Sequence, residues 1–119
     1  SPQVLSMLKQ MHRISGDRQY VFPGVANPRE GISPDSLRVA LRRLGIDQDT
    51  LTTHGLRHTA STQLNEQGFN SDAIERQLSH GDKNKIRATY NHAQYLDERR
   101  DMMNKWSDFL TKIKQDYAE

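Results

Sequence analysis

Apolar side chains recur at helical spacing along most of this chain, and Gly, Pro and capping residues divide the pattern into elements. Val4, Leu5, Leu8 and Met11 share one face of a predicted helix over 3–14, ended by Gly16 and Asp17. Tyr20-Val21-Phe22 is a short extended run stopped by Pro23 and Gly24, and Asn27, Pro28 and Gly31 carry a loop on to Ser33. Ser33 offers an N-cap and Pro34 a first turn for a helix in which Leu37, Ala40, Leu41 and Leu44 recur at i, i+3, i+4 and i+7 before Gly45. Thr52 or Thr53 is placed to cap a third helix running to Gln67, with Gly68 as its stop, and Ser71 to cap a fourth through about Ser79. Residues 83–89 read as a helical turn, and a long helix follows over 92–116. Its stripe of Trp106, Phe109, Leu110, Ile113 and Tyr117 suits either core packing or docking on a neighbouring subunit. The expected fold is mainly α, with at most a short strand near 20–22.

No repeat, low-complexity tract or Gly/Ser linker divides the chain, so 119 residues fit one domain or a piece of one. Eleven Leu, six Ile, four Val and three Phe make only about a fifth of the residues, at the margin for a self-sufficient core. Such a chain is expected to lean on something else for burial. A net charge of +2 with a pI near 9.0 points to local basic patches rather than a globally cationic protein. Zero cysteines exclude a disulfide scaffold, Cys-ligated zinc and a thiol nucleophile. No run approaches the roughly 18 apolar residues of a membrane span, and the N-terminus does not read as a signal peptide. A soluble, cytoplasmic protein is expected, with its chemistry drawn from His, Arg, Lys, Tyr, Ser and acids.

The third helix concentrates that chemistry. At about 100° per residue, with His54 at zero, Arg57 falls near 300°, His58 near 40°, Ser61 near 340° and Asn65 near 20°, while Leu56, Ala60 and Leu64 lie between about 200° and 280°. Two imidazoles and a guanidinium thus share a stripe near a helix N-terminus, where backbone N–H groups also favour an anion. Zinc is a poor alternative, because Gly55 stands where H-E-x-x-H needs Glu and Arg57 would set a cation beside the metal. A two-metal nuclease is disfavoured by the lack of suitably spaced acids. On the second helix, Arg38, Arg42 and Arg43 form either a solvated face or one that meets DNA phosphates or base edges.

His54-Gly55-Leu56-Arg57-His58, then Leu78-Ser79-His80, then Tyr90, in this order and spacing, resembles the tyrosine recombinases, the phage integrase family. Lys83-Asn84-Lys85-Ile86-Arg87 and Asn91-His92-Ala93 are similar to the prophage integrases of enteric bacteria in particular. The resemblance implies that the fold is the C-terminal portion of the recombinase catalytic domain, shared with DNA breaking-rejoining enzymes. It implies that Tyr90 attacks a DNA phosphodiester to leave a 3′-phosphotyrosyl link, that Arg57 and His80 stabilise the charge developing on phosphate oxygens, and that His54 takes or orients the phenol proton. His58 would support these groups from behind. Lys83, Lys85 and Arg87, with the second-helix arginines, would add salt-dependent DNA affinity.

Double-stranded attachment sites, a tetramer at the synapse and DNA-bending accessory proteins are the implied partners, and no cofactor or metal is needed. The family also uses an earlier Arg and a hairpin Lys that have no counterpart here, so the chain is expected to be part of a longer enzyme and inactive alone. Two other readings stay open on the residues: a non-enzymatic helical DNA-binding module and an enzyme of type IB topoisomerase kind.

Overall fold

A computed structural model describes residues 1–79 and 95–118. Among these residues it contains five helices: α1 (Pro2–Ser15), α2 (Pro34–Arg43), α3 (Thr53–Glu66), α4 (Ser71–Gln77) and α5 (Leu96–Asp116). The chain divides into an N-terminal unit, Pro2–Leu56, and a C-terminal unit, Arg57–Glu119 with Ser1. The predicted helical turn over 83–89 lies outside the described residues.

In the N-terminal unit, α1 closes on a Gly16 N–H that donates to the His12 carbonyl at 2.8 Å. A Cβ at Gly16 would collide with that carbonyl and with the His12 ring, so the turn requires glycine. The Ser15 hydroxyl donates to the Val21 carbonyl at 2.7 Å and ties the end of α1 to the following segment. Residues 20–22, where at most a short strand is expected, form none. Antiparallel pairing is limited to a bridge between Pro23 and Gly31, with hydrogen bonds from Gly24 to Glu30 at 2.8 Å and from Ile32 to Phe22 at 3.0 Å. Pro23 has no N–H to extend a ladder, and residues 18–22 bend instead.

Ser33 is extended, with φ −72° and ψ 155°, and Pro34 opens α2, but the Ser33 hydroxyl faces the Ser36 hydroxyl at 3.1 Å rather than capping a backbone N–H. Gly45, at φ +79°, ends α2 with bonds from its own N–H to Arg42 and from Ile46 to Leu41. That is the glycine-dependent helix stop that its place in the sequence predicts. The leucine stripe of α2 gains little cover: Leu37 is 50% and Leu44 76% exposed. Among the described residues of this unit the only buried one is polar, Ser15.

The core lies in the C-terminal unit, where Leu64 of α3, Ile74 of α4 and Met102 of α5 are buried together against Phe69, Leu78, Met103 and Trp106. Gly68, at φ +80°, turns the chain out of α3 through bonds from Gly68 to Asn65 and from Phe69 to Leu64. The cap of α4 is Asn70, not Ser71: its side-chain oxygen accepts from the Asp72 N–H at 3.0 Å, and Ser71 is already helical. The helix stops at Gln77 because Leu78 leaves helical geometry and Ser79 takes φ 53°. Arg99 Nε donates to Gln77 Oε1 at 2.9 Å and fixes α4 to α5.

α5 begins at Leu96 rather than near His92, since Tyr95 sits at φ 47° and cannot continue a right-handed helix. Residues 92–94 are outside the described residues. Its inward stripe starts one turn earlier than the aromatic pattern predicts, at Met102, and runs out by Leu110. Trp106 and Phe109 stack at 5.6 Å, while Ile113 and Tyr117 are exposed.

Candidate functional site

The first turn of α3 is built by Thr52, whose hydroxyl accepts from the Gly55 N–H at 2.8 Å and whose carbonyl accepts from Leu56 at 3.1 Å. A Cβ at Gly55 would stand 3.1 Å from that hydroxyl, so a small residue lets the cap close. His54 is exposed on this capped turn and His58 is exposed one turn further along the helix.

Arg57 departs from the expected division of α3 into polar and apolar sides. It is half-buried, as are Ala60 and Ser61, while Leu64 is fully buried and Leu56 is 52% exposed. Residues 57, 60, 61 and 64 follow i, i+3, i+4 and i+7, so the inward face is centred near the arginine rather than near Leu56. The side chain is drawn inward by a specific partner: Arg57 Nη2 donates to the backbone carbonyl of Leu78. Leu78 caps α4, its own N–H donating to Ile74 at 2.9 Å, and Ser79 follows in the left-handed region. Arg57 and the Leu78-Ser79 step, which belong to two of the three sequence pieces singled out above, therefore meet through one guanidinium. Of the other candidates, His80, Lys83, Lys85, Arg87 and Tyr90 lie outside the described residues.

The three arginines of α2 have different surroundings. Arg38 pairs with Asp35 at 3.0 Å in an exposed i, i+3 ion pair, which is worth little in water. Arg43 is exposed. Arg42 is half-buried, and its guanidinium donates to the carbonyl of Ile46 and, at 3.3 Å and 3.4 Å, to that of Leu51. Asp47, between those carbonyls in sequence, is held below the usual carboxylate pKa by hydrogen bonds from Thr50, side chain first and then backbone, with a smaller contribution from the Arg42 charge. Nothing in the side-chain pattern announces the Leu78 carbonyl or the Arg42 fork, because every residue carries a carbonyl and only the fold selects which one faces an arginine.

Among the described residues no three His, Asp or Glu gather as metal ligands, and no helix is long and apolar enough to cross a membrane. Within the C-terminal unit the chemistry on offer is that of the positioned Arg57 guanidinium and the exposed imidazole of His58, while the capped turn with His54 belongs to the N-terminal unit.

The family model described as the phage integrase family matches residues 1–97. The chain is 42% identical over 110 residues to prophage integrase IntA of Escherichia coli strain K12, covering 92% of this chain and 26% of that protein. It is also 42% identical over 120 residues to the integrase of Enterobacteria phage P4, covering 98% and 27%. With the integrase of Shigella phage Sf6 it shares 37% identity over 111 residues, 92% of this chain and 29% of that one. The chain thus spans about a quarter of the length of the curated relatives it matches. No solved structure matches it significantly.

Proposed function

The chain belongs to the phage integrase family, and from that premise we propose that the whole protein recombines DNA at specific sites by transesterification, with Tyr90 as nucleophile. The phenolic oxygen of Tyr90 attacks a phosphodiester phosphorus, the bond from phosphorus to the 5′-oxygen breaks, and a 3′-phosphotyrosyl link remains beside a free 5′-hydroxyl. A 5′-hydroxyl from a second duplex attacks in the reverse sense and releases the tyrosine. The bond energy stays in the covalent intermediate, so no nucleotide cofactor is consumed. Arg57 binds the non-bridging oxygens and favours the charge they gain in the transition state, and His80 adds a hydrogen bond there. A phenol of pKa about 10 needs help at neutral pH, which His54 supplies by taking or orienting its proton. His58, exposed on the same helix, is assigned a supporting place.

The observation that carries this reading is the Arg57–Leu78 hydrogen bond. It sets the guanidinium beside the segment that leads into His80, as a shared phosphate would require. Arg38 and Arg43, with Lys83, Lys85 and Arg87, are proposed to contact the phosphate backbone of a double-stranded attachment site. The exposed Leu110, Ile113 and Tyr117 of α5 are proposed to dock on a neighbouring protomer of a DNA-bound tetramer. The 119 residues alone are proposed to be catalytically silent, because the resemblance assigns an earlier Arg and a proton-donating hairpin Lys to other parts of the enzyme. The test is to incubate the full-length protein with a duplex nicked close to the cleavage position, which traps the adduct as the short strand diffuses away. The wild type is expected to give a covalent protein–DNA species and Tyr90→Phe none. An undiminished adduct from Tyr90→Phe refutes the assignment.

A further inference from the structure

The loop that joins α2 to α3 is bracketed by one side chain. Arg42 reaches from α2 to the carbonyl of Ile46, where the loop begins, and to the carbonyl of Leu51, where it ends. Between those points the loop is closed on itself: Thr50 N–H donates to Asp47 Oδ1 at 2.7 Å and Leu51 N–H to the Asp47 carbonyl at 3.1 Å. Leu51 is followed directly by Thr52, the residue that caps α3, and His54 lies in the turn so capped. A planar fork with several donors in fixed directions can hold two carbonyls at once, which a lysine ammonium on a flexible stem does poorly. The Asp47 carboxylate is held below its usual pKa chiefly by Thr50, with the Arg42 charge contributing least, so the carbonyl contacts of Arg42 carry the geometry.

We propose that Arg42 is a positioning residue, whose fork across the Ile46 and Leu51 carbonyls fixes where α3 starts and hence where His54 meets the scissile phosphate. This rests on the recombinase reading above and differs from a phosphate contact, the other use of an arginine on this helix. A phosphate contact depends on charge, and Lys keeps charge. The carbonyl fork depends on geometry, and Lys loses it.

The experiment compares Arg42→Lys and Arg42→Ala with the wild type in the full-length protein by three readouts. In amide hydrogen exchange, Gly55 and Leu56, whose N–H groups bond to Thr52, are expected to lose protection in both variants. In single-turnover adduct formation on the nicked duplex, both variants are expected to slow by about 10- to 100-fold, the scale of a small misplacement of a catalytic group. In a His54→Ala background the same Arg42 substitutions are expected to add almost no further slowing, since the residue acts through His54. DNA affinity and its salt slope are expected to stay unchanged, whereas a lost phosphate contact would lower that slope by about one.

Wild-type adduct rates in Arg42→Lys, a reduced salt slope in Arg42→Ala, or fully additive slowing in the His54→Ala background would each overturn the proposal. The exchange arm is independent of catalysis. If Tyr90→Phe still formed the adduct, the recombinase reading would fail while the loop clamp was still decided by the Gly55 and Leu56 amides.

Discussion

Truncating Arg57 to Ala removes a charged donor from the half-buried carbonyl of Leu78. The Leu78 carbonyl accepts from Arg57 Nη2 at a half-buried position, and a hydrogen bond to a charged group at such a place contributes about 2 kcal/mol. With about 1.4 kcal/mol for each factor of ten, the local opening that frees the end of α4 should become about 30-fold more frequent. The amides that report it are Leu78, bonded to Ile74 at 2.9 Å, and Ser79, bonded to Arg76 at 3.3 Å. Native-state hydrogen exchange of the full-length protein followed by mass spectrometry is expected to show that loss at these two amides, with the amides of α2 unaffected. Arg57→Lys should recover only part of it, because a single ammonium on a shorter reach replaces a planar fork. Protection within about twofold of wild type in Arg57→Ala would refute the reasoning, since a donor worth about 2 kcal/mol cannot vanish without a trace at its acceptor.

Asn70→Ala should cost about 1 kcal/mol of stability by loss of the α4 cap, while Ser71→Ala should change it by less than about 0.5 kcal/mol; chemical denaturation of the two variants side by side checks the pair. Asp47 has a folded-state pKa below its ordinary 3.8 because Thr50 donates to the carboxylate. Its contribution is therefore fully present above about pH 3.8 and is lost as the pH falls through the lowered value, an order that a carboxyl NMR titration and its absence in Asp47→Asn would display. Arg38→Gln combined with Arg43→Gln should lower the slope of log affinity against log salt by about two, measured by fluorescence anisotropy on duplex DNA, and an unchanged slope would remove both from the interface.

Helix ends were legible in the sequence wherever one residue type meets the backbone requirement. Gly45 and Gly68 stand at φ +79° and +80°, where glycine carries no steric cost. Adjacent capping residues are harder to rank: Asn70 and Ser71 both qualify by type, and only the reach of the Asn70 side chain to Asp72 N–H decides. Periodicity located the apolar faces but not what covers them. It marked Leu37 and Leu44 as a face, and both are exposed. On α3 the averaged pattern sets Leu56 inside and Arg57 outside, whereas Arg57 is half-buried and reaches a carbonyl while Leu56 is 52% exposed. The buried Met102 lies one turn before the more conspicuous aromatic stripe, which begins at Trp106. The candidate site is proposed from residue types with distinctive chemistry and fixed spacing, His54, Arg57, His80 and Tyr90, of which the described residues include His54 and Arg57. Backbone partners are not legible in that way, since a carbonyl leaves no mark in a sequence.

The proposed covalent bond between Tyr90 and DNA is open to direct measurement. Trypsin cleavage after Arg87 and Arg99 releases one peptide holding both Tyr90 and Tyr95, so fragmentation of the DNA-linked peptide can assign the bond between two tyrosines five residues apart. After the trapped adduct is digested with nuclease and trypsin, the nucleotide remnant is expected on Tyr90, attached through a 3′-phosphate. A remnant on Tyr95 or on any other residue, or one attached through a 5′-phosphate, would contradict the account.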